Sequence, residues 1–176
     1  MSSRSLIPSL IACGAFLFAA GCSDGNSTPS QTTTTLTLVS PAGSATNVSP
    51  ASPVVLTFSG PMAQGMEGYV DLHQGTGAGA IIPMACSWSA DHTTLTCSHP
   101  APLATGATYT VHVGCGMMDA NGEVCGLDDA VTHMGGHWLD GGMMGGMHDG
   151  HPTNTLDPHW QCSNGRYGMT FTFTTA

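Results

Sequence analysis

Most of the side chains suited to chemistry lie in one stretch, residues 127 to 165. It contains His133-Met134-Gly-Gly-His137 and then Gly142-Met143-Met144-Gly-Gly-Met147-His148-Asp-Gly-His151. These 39 residues hold five of the chain's nine histidines, four of its methionines and eight glycines. Imidazole is a good ligand for Cu(II), Zn(II) and Ni(II), and thioether sulfur for Cu(I). His133 and His137, or His148 and His151, are close enough in sequence to share one ion. Met134, Met143, Met144 and Met147 would add thioethers, and Asp140 and Asp149 the negative charge that favours a cation. The chemistry this pattern points to is transition-metal binding, with a copper ion as the expected cofactor. A loop of this length inside a compact domain is either functional or disordered. The competing expectation is therefore a glycine-rich surface insertion on a structural or adhesive module with no metal role.

Other chemistries find little support. His133 and His137 have the spacing of a zinc-peptidase pair, but the catalytic Glu between them is missing and two glycines discourage the helix that would align them. The chain shows no nucleophile-elbow serine, no paired catalytic carboxylates and no phosphate-cradling loop followed by lysine. A non-enzyme is expected. His73, His92, His99 and His112 read as exposed strand or turn residues. Asp119-Ala-Asn-Gly-Glu123 reads as a turn, because it lacks the full ligand spacing of a calcium loop.

Charge narrows the partners. Two basic residues, Arg4 and Arg166, face eleven acidic ones, for a net charge of −9. Phosphate binding depends on clustered Lys and Arg, so nucleic acid is excluded as an expected partner. Anionic lipid headgroups are equally unsuited, and any membrane attachment must come from acyl chains.

The elements that must position these residues read as short strands. From Leu36 onward apolar residues recur at period two between turn residues. Candidates are Thr35–Val39, Val54–Phe58, Gly68–His73, Ile81–Trp88, Thr93–Ser98, Thr108–Val113 and Met169–Phe173. In the sixth, Tyr109, Val111 and Val113 share one face and His112 takes the other. No stretch has convincing helical periodicity. About seven strands at this spacing predict an all-β fold, an antiparallel sandwich with a long Gly/Met/His-rich loop before the last strand.

Ile81–Trp88 and Thr93–Ser98 form a predicted hairpin. Setting Cys86 opposite Cys97 sets Trp88 opposite Leu95 and leaves Asp91-His92 at a two-residue tip, with all four paired side chains on one face. A Cys86–Cys97 disulfide follows. Of the remaining cysteines, Cys115 with Cys125 is the favoured pair because it closes a short loop, but Cys162 could displace either.

Ser40-Pro-Ala-Gly-Ser-Ala-Thr-Asn-Val-Ser49 and Val54-Val-Leu-Thr-Phe-Ser-Gly-Pro-Met62 resemble the opening of bacterial Ig-like domains of the S-layer type. Thr93–Thr96, Pro102–Val111, Asp119–Gly122 and Phe171–Thr175 match later elements of that family in order and spacing. The resemblance implies an Ig-like sandwich, usually a spacer or surface module without catalytic residues. The family passes from the Asp119-type turn to the last strand within about twenty residues, whereas here residues 127–165 intervene. Methionine and histidine clusters together also resemble copper-handling exported proteins, among them the CopC-like copper-carrier sandwiches, which share a related Ig-like shape.

The N-terminus resembles a bacterial lipoprotein signal. Arg4 precedes an apolar run from Leu6 to Ala20, too short to span a bilayer comfortably. Leu17-Phe-Ala-Ala-Gly-Cys22 is similar to a lipobox, which implies cleavage before Cys22 and acylation of its thiol. The expected organisation is a signal peptide over 1–21, a flexible tether over 22–34 and an Ig-like domain over 35–176 with its loop insertion at 127–165. Ser23, in place of Asp, implies sorting to the outer membrane, with the lipid as the membrane partner. Export also sets an oxidising compartment, in which disulfides are the default. Cys22→Ser is expected to abolish acylation and leave the precursor uncut. Unchanged lipid labelling of that variant would reject the assignment.

Overall fold

A computed structural model describes residues 33–77, 79–127, 133–138 and 166–176. The strands are β1 (Leu36–Ser40), β2 (Val54–Phe58), β3 (Val70–Gln74), β4 (Ile81–Ile82), β5 (Ala85–Trp88), β6 (Thr94–Ser98), β7 (Thr108–Val113), β8 (His137–Trp138) and β9 (Met169–Thr174). They form two antiparallel sheets, one ordered β1-β2-β6-β5 and the other β4-β3-β7-β9-β8. A 3-10 turn covers Met66–Tyr69. None of their helices is long and apolar enough to cross a membrane.

Period-two alternation builds the core. Val54, Leu56 and Phe58 of β2 and Leu95 and Cys97 of β6 face inward from the first sheet. Val70, Leu72, Tyr109, Val111, Val113, Met169, Phe171 and Phe173 answer from the second, all buried. Strand β1 departs from strict alternation. A register shift between Leu36 and Leu38 lets Leu36 and Val39 both face inward, while Leu38 is left 51% exposed. A bulge accounts for this, because one extra residue in a strand resets which positions face the core.

Two strand predictions need correction. Ile81–Trp88 is not one strand: Ile81–Ile82 pairs with β3 in the second sheet, and Ala85–Trp88 pairs with β6 in the first. Pro83 sits at the crossing, where a residue without an N–H cannot continue a ladder. The second correction is β8, which lies inside the stretch expected to be loop. It hydrogen-bonds to the edge of β9, with His137 opposite Thr170 and Trp138 opposite Met169. Close packing holds its approach. The Gly43 N–H donates to the Met134 carbonyl at 3.1 Å, and a side chain on Gly136 would collide with Met169 and Phe171.

In the β5–β6 hairpin Cys86 stands opposite Cys97 and Trp88 opposite Leu95. The two cysteines are disulfide-bonded, with Cα atoms 3.9 Å apart. The tip is wider than two residues. The Ser89 N–H bonds to Thr94, the His92 N–H bonds back to Ser89, and His92 takes a positive φ of 55°. Asp91 explains the extra width, since its Oδ1 accepts from the Ser89 hydroxyl and from the Thr93 N–H and hydroxyl. Trp88 closes this end of the core against Phe58 at 5.8 Å and donates its indole N–H to Glu67 at 2.9 Å. That hydrogen bond holds the Glu67 carboxyl below its ordinary range. Replacing Cys86 and Cys97 together by Ala is expected to cost about 2–4 kcal/mol in denaturant unfolding. A peptide map of the unreduced protein should show the bridge; either cysteine free, or joined to Cys162, would reject it.

Candidate metal centre

The second sheet carries its polar residues on the face turned away from the core. Asp71 and His73 alternate with the inward Val70 and Leu72 of β3, and His112 lies between the inward Val111 and Val113 of β7. Register brings the three together: Asp71 stands directly opposite His112, and His73 follows two residues along the same face. One ligand atom from each lies within 4.8 Å of the other two. Two donors bound to one ion at about 2.1 Å are at most about 4.2 Å apart, so small side-chain rotations would close the set.

These histidines are not exposed, contrary to the sequence expectation. His73 is 4% and His112 3% accessible, as buried as core residues. The β3–β4 turn accounts for the cover. It folds back over the outer face, where the Thr110 hydroxyl donates to the Gly75 carbonyl at 2.6 Å and Gly77 approaches the Thr170 methyl. Burying a polar ring without partners is costly, and each ring has a backbone carbonyl. His73 Nδ1 bonds to the Gly79 carbonyl at 3.2 Å, and His112 Nε2 to the Tyr167 carbonyl at 2.7 Å. The rings lie 6.4 Å apart.

Of the ligands predicted from sequence, His133, Met134 and His137 are described. His133 and His137 are exposed, and Met134 packs against the core. His137 shares the outer face and the cross-strand row of Asp71 and His112, but Thr170 stands between it and His112. Two strand spacings, roughly 10 Å, therefore separate the two histidines. The structure does not bring His137 into the Asp71–His73–His112 group. Met143, Met144, Met147, His148 and His151 lie outside the described residues, as does Cys22. The Arg166 guanidinium lies 5.3 Å from the Trp138 ring centre.

The expected Cys115–Cys125 bridge is corrected. Cys125 is a free, buried thiol, while Cys115 is disulfide-bonded to a partner outside the described residues. Cys125 instead takes part in a backbone hairpin: its N–H donates to the Met117 carbonyl, and Met118 bridges Val124. Asp119 holds the bend of that hairpin and is itself nearly inaccessible. Its Oδ1 accepts from the Glu123 and Asn121 N–H groups and its Oδ2 from the Thr34 hydroxyl. The Glu123 N–H, helped by Asn121 and Thr34, keeps this carboxyl below its ordinary range against the opposing effect of desolvation. Its oxygens thus hold a turn together, as the sequence spacing predicted.

A three-residue group of two imidazoles and one carboxylate, drawn from adjacent strands of an Ig-like sandwich, is now in view. The chain matches the bacterial Ig-like domain family over residues 30–132. It belongs to that family. The match spans β1 to β7 and ends at residue 132, just before His133, leaving β9 to complete the sheet from the far side of the insertion. No curated protein matches the chain. Similar solved structures include CopC from Methylosinus trichosporium OB3b, at 21% identity and a TM-score of 0.40, covering 52% of this chain and 83% of that one. Domains 1–6 of the surface layer protein SbsC match at 19% identity and a TM-score of 0.41, covering 54% of this chain but 12% of that one. L,D-transpeptidase 1 from Mycobacterium tuberculosis matches at 20% identity and a TM-score of 0.37, covering 54% of this chain and 39% of that one.

Burial pushes the Cys125 thiol up to about 12. Because the thiolate is the reactive form, Cys125 is expected to resist alkylation by iodoacetamide in the native protein at neutral pH and to label fully in denaturant. Rapid native labelling of Cys125 would show that the 115–125 hairpin opens.

Proposed function

We propose that this chain is an exported, lipid-anchored Ig-like protein that binds a borderline transition-metal ion, copper foremost, for storage, delivery or tolerance. The observation that carries the reading is the convergence of Asp71, His73 and His112 on a covered face of the second sheet. Two imidazoles and a carboxylate suit Cu(II), Zn(II) and Ni(II), and among these the affinity order favours Cu(II). Three protein ligands leave positions open for exchange, which suits a protein that takes up and passes on an ion. The carboxylate offsets part of the cation's charge.

The exposed His133 and His137, with Met143, Met144, Met147, His148 and His151, are a second proposed set of ligands, and its thioethers suit Cu(I). The lipobox-like N-terminus supports attachment to the outer membrane through Cys22. We read the protein as a binding protein and not an enzyme, because its sequence offers no nucleophile-elbow serine, paired catalytic carboxylates or phosphate-cradling loop followed by lysine.

The test is metal titration of the purified, tag-free protein. Asp71→Asn, His73→Ala and His112→Ala should each weaken Cu(II) binding at least tenfold, about 1.4 kcal/mol. Deleting residues 141–151 should remove Cu(I) uptake and leave Cu(II) binding at the sheet. Cu(II) affinity should fall on acidification, since imidazole must be neutral to ligate. Equal Cu(II) uptake by the parent and by a folded triple variant at Asp71, His73 and His112 would overturn the sheet site. A protein that also takes up no Cu(I) would leave the structural-module reading ahead.

A further inference from the structure

The two histidines of the sheet are held by carbonyls that touch opposite ring nitrogens. A carbonyl oxygen only accepts, so the nitrogen facing it must carry the proton. His73 therefore keeps its proton on Nδ1, facing Gly79, and the lone pair of the neutral ring is on Nε2. His112 keeps its proton on Nε2, facing Tyr167, and its lone pair is on Nδ1. Metal-bound histidines are commonly oriented in this way, by donating the second ring N–H to a carbonyl or carboxylate.

The carbonyl that holds His73 belongs to an unusual residue. Gly79 closes the β3–β4 turn: its N–H donates to Thr76 at 2.7 Å, and the neighbouring Gln74 N–H bonds to Ala80 at 2.9 Å. A Cβ on Gly79 would overlap the Gln74 carbonyl, so no other residue fits this backbone path. The same turn anchors on Thr110 and covers the outer face. It thus contributes both the cover and the tautomer.

We propose that Gly79 is a positioning residue for the sheet site, committing His73 to ligation through Nε2 while the Tyr167 carbonyl commits His112 to ligation through Nδ1. The inference rests on the reading of Asp71, His73 and His112 as metal ligands, but its first test needs no metal. Imidazole nitrogen NMR of the detergent-solubilised full chain, at a pH where both rings are neutral, should show the Nδ1–H form for His73 and the Nε2–H form for His112. Adding Zn(II), a diamagnetic probe, should shift His73 Nε2 and His112 Nδ1.

Gly79→Ala should mix the His73 tautomers, leave His112 in its own and weaken Zn(II) binding about tenfold. If that variant fails to fold, amide side chains that mimic one nitrogen at a time give the same answer. His73→Asn keeps a donor near the Nδ1 position and should retain the parent melting temperature while losing Zn(II), whereas His73→Gln should melt lower. His112 should show the reverse order, with Gln retained and Asn destabilised. His73 found in the Nε2–H form, or the Asn/Gln order reversed, would overturn the positioning role even if Zn(II) binds. The proposed tautomers with no Zn(II) shift would bear out the hold of the carbonyls on the rings but overturn the metal reading, and with it the role of Gly79 in ligation.

Discussion

The register of β7 is the constraint on which the second sheet depends. This strand is paired on both edges, with Val113 opposite Val70 on β3 and opposite Met169 on β9. In that register Tyr109, Val111 and Val113 meet the core while Thr110 and His112 face outward. A slip of one residue would reverse every side chain, burying two polar groups among Phe171, Phe173 and Leu72 and exposing three apolar ones. The apolar penalty of that slip fixes where His112 stands. The placing of Asp71, His73 and His112 is thus a by-product of core packing, and β7, which carries His112, is buried from Tyr109 to Val113.

What lies above the outer face is a second layer of constraint. An antiparallel sheet in a sandwich can leave one face to water, and the alternation of β7 is consistent with that. Here the β3–β4 turn folds over it and supplies carbonyls to Thr110 and His73. The polar face is covered without being left unsatisfied, since Thr110 and both imidazoles meet backbone acceptors. Such an environment favours a charged ligand group only when a counter-charge is present, and Asp71 sets a carboxylate opposite His112 against the two rings. The carboxylate and the carbonyl on His73 come from the short run between Asp71 and Gly79, and the carbonyl on His112 comes from Tyr167, just before β9.

The first sheet has a different task. Its disulfide and the Trp88 contacts tie β5 to β6 and close the core at the hairpin end. The first sheet carries none of Asp71, His73 and His112. The family match ends at residue 132, and the segment that distinguishes this chain enters where β8 adds to the edge of β9. Edge addition extends the sheet without disturbing the order β3-β7-β9, so an insertion can be carried there at little cost to the core.

Sequence alone determined the period-two strands, the all-β class, the Cys86–Cys97 register and the Asp119 turn. Each rests on local alternation or on short-range hydrogen bonds within a few residues. The switch of Ile81–Trp88 between sheets was legible only as a proline in a strand-like run, and β8 was masked by the glycines around it. His73 and His112 were in view as residue types and were read as exposed, because alternation says which face a side chain takes but not what covers that face. Asp71, His73 and His112 are brought together by pairing across a sequence separation of about forty residues, and the two histidines meet carbonyls from other segments, His73 that of Gly79 and His112 that of Tyr167. The choice of cysteine partners was likewise tertiary: closeness in sequence favoured Cys115 with Cys125, but the hairpin buries Cys125 as a free thiol and leaves Cys115 to another partner. Local chemistry wrote the strands and their faces. Only the packing of one segment upon another decided which polar residues would meet, because contact in a folded chain depends on distance in space and not on distance along the chain.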